Sequence, residues 1–328
     1  MPLIRLLHLT IFGFTAMLPL IGAASTESPA TTSDLSFILM LALTFHAFAY
    51  LLNDVVDLPI DRTQPTRANY PLVLGMLSAR QALLIALAQI PLAFGLLWWR
   101  GASWATAGWL LLAFICLAIY DLWGKKTAVP PLTDLIQGVG WAALLMVGTT
   151  LTGQPTPLSW FLFAYITVYI LLINGVNASL RDLNNDWRYG VLTTAVWLGA
   201  KPQTNGQLLI PRHLRWYAFV WQMVLAGVGG TLLFFLPLGS RGVAITAVFL
   251  TILTFIAAFY LIHRMTQTTT QAPLAQPFYM LHIILLLTLL IALFWLASPS
   301  PLRWVLVAAF VLPLLTAEPL TAFVKRDA

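Results

Sequence analysis

Asn53-Asp54-Val55-Val56-Asp57-Leu58-Pro59-Ile60-Asp61 stands at the end of an apolar run, residues 35–56, long enough to cross a bilayer. A second cluster, Asp182-Leu183-Asn184-Asn185-Asp186, follows another such run, residues 158–180. The chain holds only 11 acidic residues in 328, and Asp54, Asp57, Asp61, Asp182 and Asp186 are nearly half of them. Carboxylates at the ends of membrane-length runs are costly, so by default they mark a functional site.

Around these clusters the chain is 60% hydrophobic and 9% charged, against about 25% charged in an ordinary soluble domain. A water-soluble fold has no means of hiding that much apolar surface. The reading is an all-α, polytopic membrane helical bundle. Ten runs of roughly 20 apolar residues can be traced: 3–23, 35–56, 80–99, 103–122, 130–152, 158–180, 215–238, 243–263, 277–297 and 303–323. The last holds Pro313, Glu318 and Pro319, which suit a kinked or interfacial segment, so nine or ten spans are expected. Arg5 with the first run and Gly22-Ala23-Ala24-Ser25 has the outline of a signal peptide, but the run is longer than the usual 7–15 residues and is expected to stay. The single cysteine, Cys116, lies in an apolar run and reveals no compartment.

Two connections, 57–79 and 181–214, are long, polar and basic, and both begin at the acidic clusters. Long connections in a compact protein tend to be functional. If the N-terminus is inside, only three of the 17 Lys and Arg residues (Arg100, Arg241 and Arg303) fall on the outer side. That distribution obeys the positive-inside rule and puts both clusters on the cytoplasmic side. The net charge of +6 then points to anionic membrane lipid or a phosphorylated substrate, and to no nucleic acid.

On a helix, Asn53, Asp57 and Asp61 share a face at intervals of four, and Asp182 and Asp186 repeat the interval. Like charges brought together in this way need a cation. Mg²⁺ fits, because it takes oxygen ligands and often combines a few carboxylates with substrate phosphates. Arg62, Arg67, Lys125, Lys126, Arg181 and Arg188 lie beside the clusters or at the end of the fourth run, after Tyr120. Arginine grips phosphate with paired hydrogen bonds and lysine adds a point charge. Carboxylate pairs plus cations at the mouth of an apolar bundle describe a site for a lipid diphosphate.

The pattern Asn53-Asp54-x-x-Asp57-x-x-x-Asp61, with Arg62, Pro65, Arg67, Pro71, Leu72 and Gly75, resembles the first aspartate motif and following loop of the UbiA-type superfamily of intramembrane prenyltransferases. Tyr120 through Lys125 and Lys126 is similar to that family's tyrosine-to-lysine motif. Asp182-x-x-x-Asp186-x-x-x-Gly190-x-x-Thr193, running on to Leu198-Gly199, resembles its second aspartate motif. The resemblance implies a single transmembrane domain over 1–328 with a central cavity opening near the cytoplasmic face. In it, nine helices are usual and 57–79 and 181–214 are cytoplasmic loops over the site; an extra C-terminal helix over 298–328 would exceed that count. It also implies Mg²⁺ at Asn53, Asp57, Asp61, Asp182 and Asp186, with the four aspartates catalytic. Lys125, Arg67, Arg62, Lys126, Arg181 and Tyr120 are expected at the diphosphate, and Asp54 on a different helix face from Asp57. The expected reaction joins an isoprenoid diphosphate to an aromatic or lipid acceptor.

Besides that tenth run, the sequence departs from the family pattern within two of the motifs. Tyr70 stands where many members have Arg, and Ala178 where many carry Asn or Asp, although Asn177 and Ser179 flank it. Among rival readings, a terpene cyclase would ionise the same diphosphate and let an internal double bond capture the cation. The loop Asp61-Arg62-Thr63-Gln64-Pro65-Thr66-Arg67 is also similar to the branch acting on polyprenyl phosphate and a phosphoribosyl diphosphate. A transporter would use the aspartates for coupling ions, but such proteins keep charges at midplane and show internal repeats. Trp98, Trp99, Trp141, Trp160, Trp187 and Tyr189 could guide a cation, though belt positions account for most of them. His46, two turns before Asn53, is expected to pack within the bundle rather than line a cavity.

Overall fold

The computed structural model describes residues 6–28, 30–64, 67–124, 126–267, 269–297 and 302–316. Helices dominate, for the reason the composition implies: in lipid every backbone N–H and C=O must be satisfied within the segment. A 3-10 turn, Leu9–Ile11, leads into α1 (Phe12–Ala24). Then come α2 (Thr32–Asp61), α3 (Ala79–Arg100), α4 (Trp104–Trp123), α5 (Pro130–Thr152) and α6 (Pro157–Leu172). The last continues through a π-helix, Ile173–Ala178, and a short turn, Ser179–Arg181. Two short helices, α7 (Leu183–Arg188) and α8 (Thr194–Trp197), precede α9 (Arg212–Leu232), α10 (Arg241–Met265), α11 (Ala272–Ala297) and α12 (Leu302–Thr316).

Seven of these helical segments are long and apolar enough to span a membrane: α2 to α5, α6 with its extension, α10, and α11 from Pro277. Leu9–Ala24 and Leu302–Val311 are apolar but shorter. Helix α9 has the length, but Arg212, His213, Arg215 and Gln222 make it more polar. The tenth expected run, 303–323, is helical from Leu302 to Thr316, and its remainder lies outside the described residues.

Two expectations about the connections change. Helix α2 does not stop at residue 56 but runs to Asp61, carrying the first acidic cluster on its last turns. Pro59 removes one donor from the helix ladder without ending it. The stretch 181–214 is not a plain loop. Besides α7 and α8 it forms β1 (Lys201–Pro202) and β2 (Gln207–Leu209). These join β3 (Thr269–Gln271) in an antiparallel sheet of order β1-β2-β3, with Lys201 opposite Leu209 and Gln207 opposite Gln271.

The helix starts are written in the sequence. Thr31 and Asp34 form a capping box at α2, as do Ser78 and Gln81 at α3, and each cap of this kind stabilises by about 1 kcal/mol. Gly101, with φ 69°, closes α3 in the left-handed conformation.

The chain divides into two compact units. The first comprises Met1–Phe114, Leu144–Gln154 and Ser300–Ala328. Within it α2 packs on α1 and α3, and α12 packs on α1. Lipid offers no hydrophobic drive between helices, so close approach at small residues does this work. A Cβ on Gly22 would sit 1.9 Å from the Leu145 carbonyl oxygen, and one on Gly148 would sit 1.8 Å from that of Pro19. Thr149 Oγ1 donates across the same contact to the Gly22 carbonyl at 3.1 Å. Phe114 packs its ring against Phe45 and Phe48, at centroid distances of 5.2 and 4.7 Å.

The second unit comprises Ile115–Ala143 and Pro155–Pro299. There α9 packs on α6 and α10, and α10 packs on α11. Tyr165 and Tyr169 of α6 donate to the Leu286 and Ile283 carbonyls of α11, at 3.2 and 3.3 Å.

Candidate functional site

The first cluster lies on the last three turns of α2. Asn53, Asp57 and Asp61, four residues apart, lie along one helix face, as their spacing predicts. Asn53 and Asp57 are half-buried and Asp61 is buried. Asp54 is turned about 100° from Asn53 around the axis. Its carboxylate is buried and accepts a 2.8 Å hydrogen bond from His8 Nε2.

The turn that follows supplies the cation. Arg67 Nε is 4.0 Å from Asp61 Oδ1, and its guanidinium lies 4.6 Å over the Tyr70 ring. Tyr70, which replaces the more usual arginine, therefore serves as a platform for Arg67. Arg62 is exposed.

The second cluster follows the π-helix. Such a segment lacks the ordinary i→i+4 ladder and recurs at functional positions. Ser179 Oγ repairs part of it by donating to the Asn174 carbonyl at 2.7 Å. Gly175 admits Tyr217 against the backbone, since a Cβ there would lie 2.9 Å from the tyrosine oxygen. Asp182 sits at the break between the last turn of α6 and α7, with φ −96° and ψ 2°. Both its oxygens are taken by the neighbouring Arg181, Nε to Oδ1 at 3.0 Å and Nη2 to Oδ2 at 2.6 Å. Asp186 is buried one turn on, its N–H donating to the Asp182 carbonyl at 3.0 Å. Gly190, at φ 67°, then reverses the chain.

Tyr120 is half-buried in the last turn of α4, and its carbonyl accepts from Gly124 N–H at 2.6 Å. Lys126 is exposed, and Lys125 lies outside the described residues. Of the aromatic candidates, Trp98 and Trp99 are 82% and 76% exposed at the end of α3, as befits a membrane belt. Trp160, Trp187 and Tyr189 are exposed as well, whereas Trp141 is buried. His46 is a packing residue. Its Nδ1 accepts from Thr15 Oγ1 and its Nε2 donates to the Leu7 carbonyl, both at 2.8 Å.

Several polar groups in the second unit escaped the sequence reading. Asp134, buried on α5, accepts from Thr194 Oγ1 at the start of α8. Asn174 Nδ2 donates to Gln137 Oε1. Asn177, buried in the π-helix, donates to the Tyr279 carbonyl at 3.0 Å and to His282 Nδ1 at 3.2 Å. His282 passes its own Nε2 proton to Gln222 Oε1 at 2.9 Å. The signal for Asp134 was present in the sequence: a lone carboxylate inside an apolar run is costly in its own right.

Among the described residues, no three His, Cys, Asp or Glu side chains converge to enclose a metal. Mg²⁺ does not require such a cage, since it usually takes one or two carboxylates and completes its shell with water and substrate phosphate. Asn53, Asp57 and Asp61 provide oxygen donors of that kind along one face. The donor set therefore fits an ion that arrives with phosphate.

Residues 11–284 match the UbiA prenyltransferase family. Among curated proteins, the chain is 31% identical over 171 residues to a 4-hydroxybenzoate octaprenyltransferase of Tolumonas auensis, covering 50% of this chain and 57% of that one. It is 35% identical over 131 residues to a protoheme IX farnesyltransferase of Thermus thermophilus, covering 36% of this chain and 19% of that one. The chain thus spans less than two thirds of the length of these relatives. Among solved structures, a UbiA homologue from Archaeoglobus fulgidus bound to GPP and Mg²⁺ superposes with a TM-score of 0.65 at 16% identity, over 90% of this chain and 99% of that one. An apo UbiA homologue from Aeropyrum pernix K1 gives 0.61 at 17%, over 85% and 96%. At these identities the structural likeness speaks to the fold, and the sequence match over most of the chain speaks to descent. The chain belongs to the UbiA prenyltransferase family.

Proposed function

We propose that the protein is a Mg²⁺-dependent intramembrane prenyltransferase. It ionises an isoprenoid diphosphate and passes the prenyl group to an aromatic or lipid acceptor. One observation carries this reading: Asn53, Asp57 and Asp61 share one face of a membrane helix, with Arg67 drawn up beside Asp61. Relatives named for octaprenyl and farnesyl transfer support it, as does a homologue bound to GPP and Mg²⁺. The family match runs through both compact units, which supports reading them as one functional domain. The concentration of Lys and Arg on one side of the expected spans supports a site facing the cytoplasm.

When bound, Mg²⁺ would offset the negative charge that builds on the departing diphosphate. Asn53, Asp57 and Asp61 would hold an ion from α2, and Asp182 and Asp186 would hold an ion at the second motif in competition with Arg181. Arg67, Arg62, Lys125, Lys126, Arg181 and Tyr120 would bind diphosphate oxygens. The allylic C–O bond breaks with its electron pair going to diphosphate. An electron pair of the acceptor forms the new bond to carbon, and the displaced acceptor proton goes to phosphate or a nearby base. Apolar helices keep water from the cation meanwhile.

The test is product analysis of purified protein in lipid nanodiscs, given geranyl, farnesyl or longer diphosphates with and without 4-hydroxybenzoate. A prenylated acceptor, formed with Mg²⁺ and abolished by chelator, is expected. Cyclic hydrocarbon formed from the diphosphate alone would replace this reading with that of a cyclase.

A further inference from the structure

We infer that His8 is a positioning residue that clasps α2 to the turn carrying Arg67. The inference deepens the proposed function and rests on it for its catalytic meaning. His8 is the only residue other than glycine with a positive φ among the described residues, at 47°. Such a conformation persists where the surroundings over-determine it, and here they do. The His46 imidazole, fixed by Thr15, holds the Leu7 carbonyl at 2.8 Å and approaches that of His8 at 3.3 Å. The His8 ring stacks on Tyr50 at 5.2 Å and gives its Nε2 proton to Asp54 at 2.8 Å. Tyr50 and Asp54 are four residues apart, so one face of α2 presents both.

The His8 ring also meets Tyr70, tilted, at a centroid distance of 5.5 Å. Tyr70 carries the Arg67 guanidinium at 4.6 Å, and Arg67 reaches back to Asp61 at 4.0 Å. The path Asp54–His8–Tyr70–Arg67–Asp61 thus begins and ends on α2. It gives Asp54 a role through its bond to His8. Its partner sets where the loop cation stands, and His8 itself need touch neither metal nor diphosphate.

The experiment is hydrogen exchange on the purified, ligand-free protein, joined to titration with inorganic diphosphate and Mg²⁺. The amides of Arg67, Tyr70, Leu74, Gly75 and Met76 are hydrogen-bonded within the turn and report its closure. In His8→Ala they should exchange about tenfold faster, while α10 is unchanged. His8→Phe, which keeps the ring and loses the donor, should fall between. His8→Gln, which restores a donor to Asp54, should move back toward the parent. Diphosphate affinity should fall about fivefold in His8→Ala, whereas adding His8→Ala to Arg67→Ala should bring no further loss, since residues acting through one another are not additive. Unchanged exchange in the turn, or additive losses, would overturn the clasp. If exchange and diphosphate binding behave as stated but no prenyl diphosphate is consumed, the clasp stands and the proposed function falls.

Discussion

Arg181 binds both oxygens of Asp182 and so competes with a metal there, which makes Arg181→Gln an informative substitution. The pair is bidentate, at 3.0 and 2.6 Å, but the two side chains are 37% and 38% exposed. Exposed ion pairs contribute about 0–1 kcal/mol, and the two-point geometry puts this one toward the upper end. Releasing the carboxylate would then favour its binding of Mg²⁺ by at most about 1 kcal/mol, or roughly fivefold. Removing a neighbouring positive charge acts in the same direction. The thermal midpoint should hardly move, because so little stability resides in the pair. Calorimetric titration of Mg²⁺ into the Asp57→Ala background isolates the second motif, and Arg181→Gln should bind the ion up to about fivefold more tightly there. Diphosphate binding should weaken in the same variant, since a phosphate-binding cation is lost. Weaker Mg²⁺ binding would refute the reasoning, for it would mean that Arg181 orients Asp182 for the ion rather than masking it.

Three further outcomes are expected. Gly148→Ala forces a Cβ to within 1.8 Å of the Pro19 carbonyl, so the helices must part by more than an ångström, at about 1–3 kcal/mol. Thermal unfolding in detergent should show the loss, whereas Gly95→Ala, with open space around it, should cost nothing. His282→Leu leaves Gln222 and Asn177 without their shared partner, and should lower stability by about 1 kcal/mol on the scale of interhelical hydrogen bonds. The double variant His282→Leu/Gln222→Leu should recover part of that loss, and a fully additive double variant would contradict the network. Asp54→Ala should leave Mg²⁺ binding at α2 within about twofold of the parent, because Asp54 faces His8, and a loss on the scale of Asp57→Ala would place Asp54 in the metal site instead.

The first acidic motif was legible because a helix turns spacing directly into geometry. Asn53, Asp57 and Asp61 share a face of one continuous helix. The end of α2 was not legible, since the apolar run stops at residue 56 while the helix runs on through the acidic cluster to Asp61. The second motif shows a deeper limit. Its hairpin finds its third strand at Thr269–Gln271, some 60 residues on. That pairing has no local signature. His8 and Asp54, 46 residues apart, meet for the same non-local reason. Asp134 was overlooked because it stands alone, although burial of a carboxylate in an apolar helix was signal enough.

The central claim is that the Asn53, Asp57 and Asp61 face of α2 handles the diphosphate of a prenyl donor through Mg²⁺. The most direct measurement is inorganic diphosphate release from a labelled prenyl diphosphate by the purified protein and by Asp57→Ala, at saturating Mg²⁺ and with an acceptor present. The account predicts stoichiometric release and prenylated acceptor from the parent, and a fall of at least about 10²-fold in the variant. Near-parent release by Asp57→Ala would contradict it.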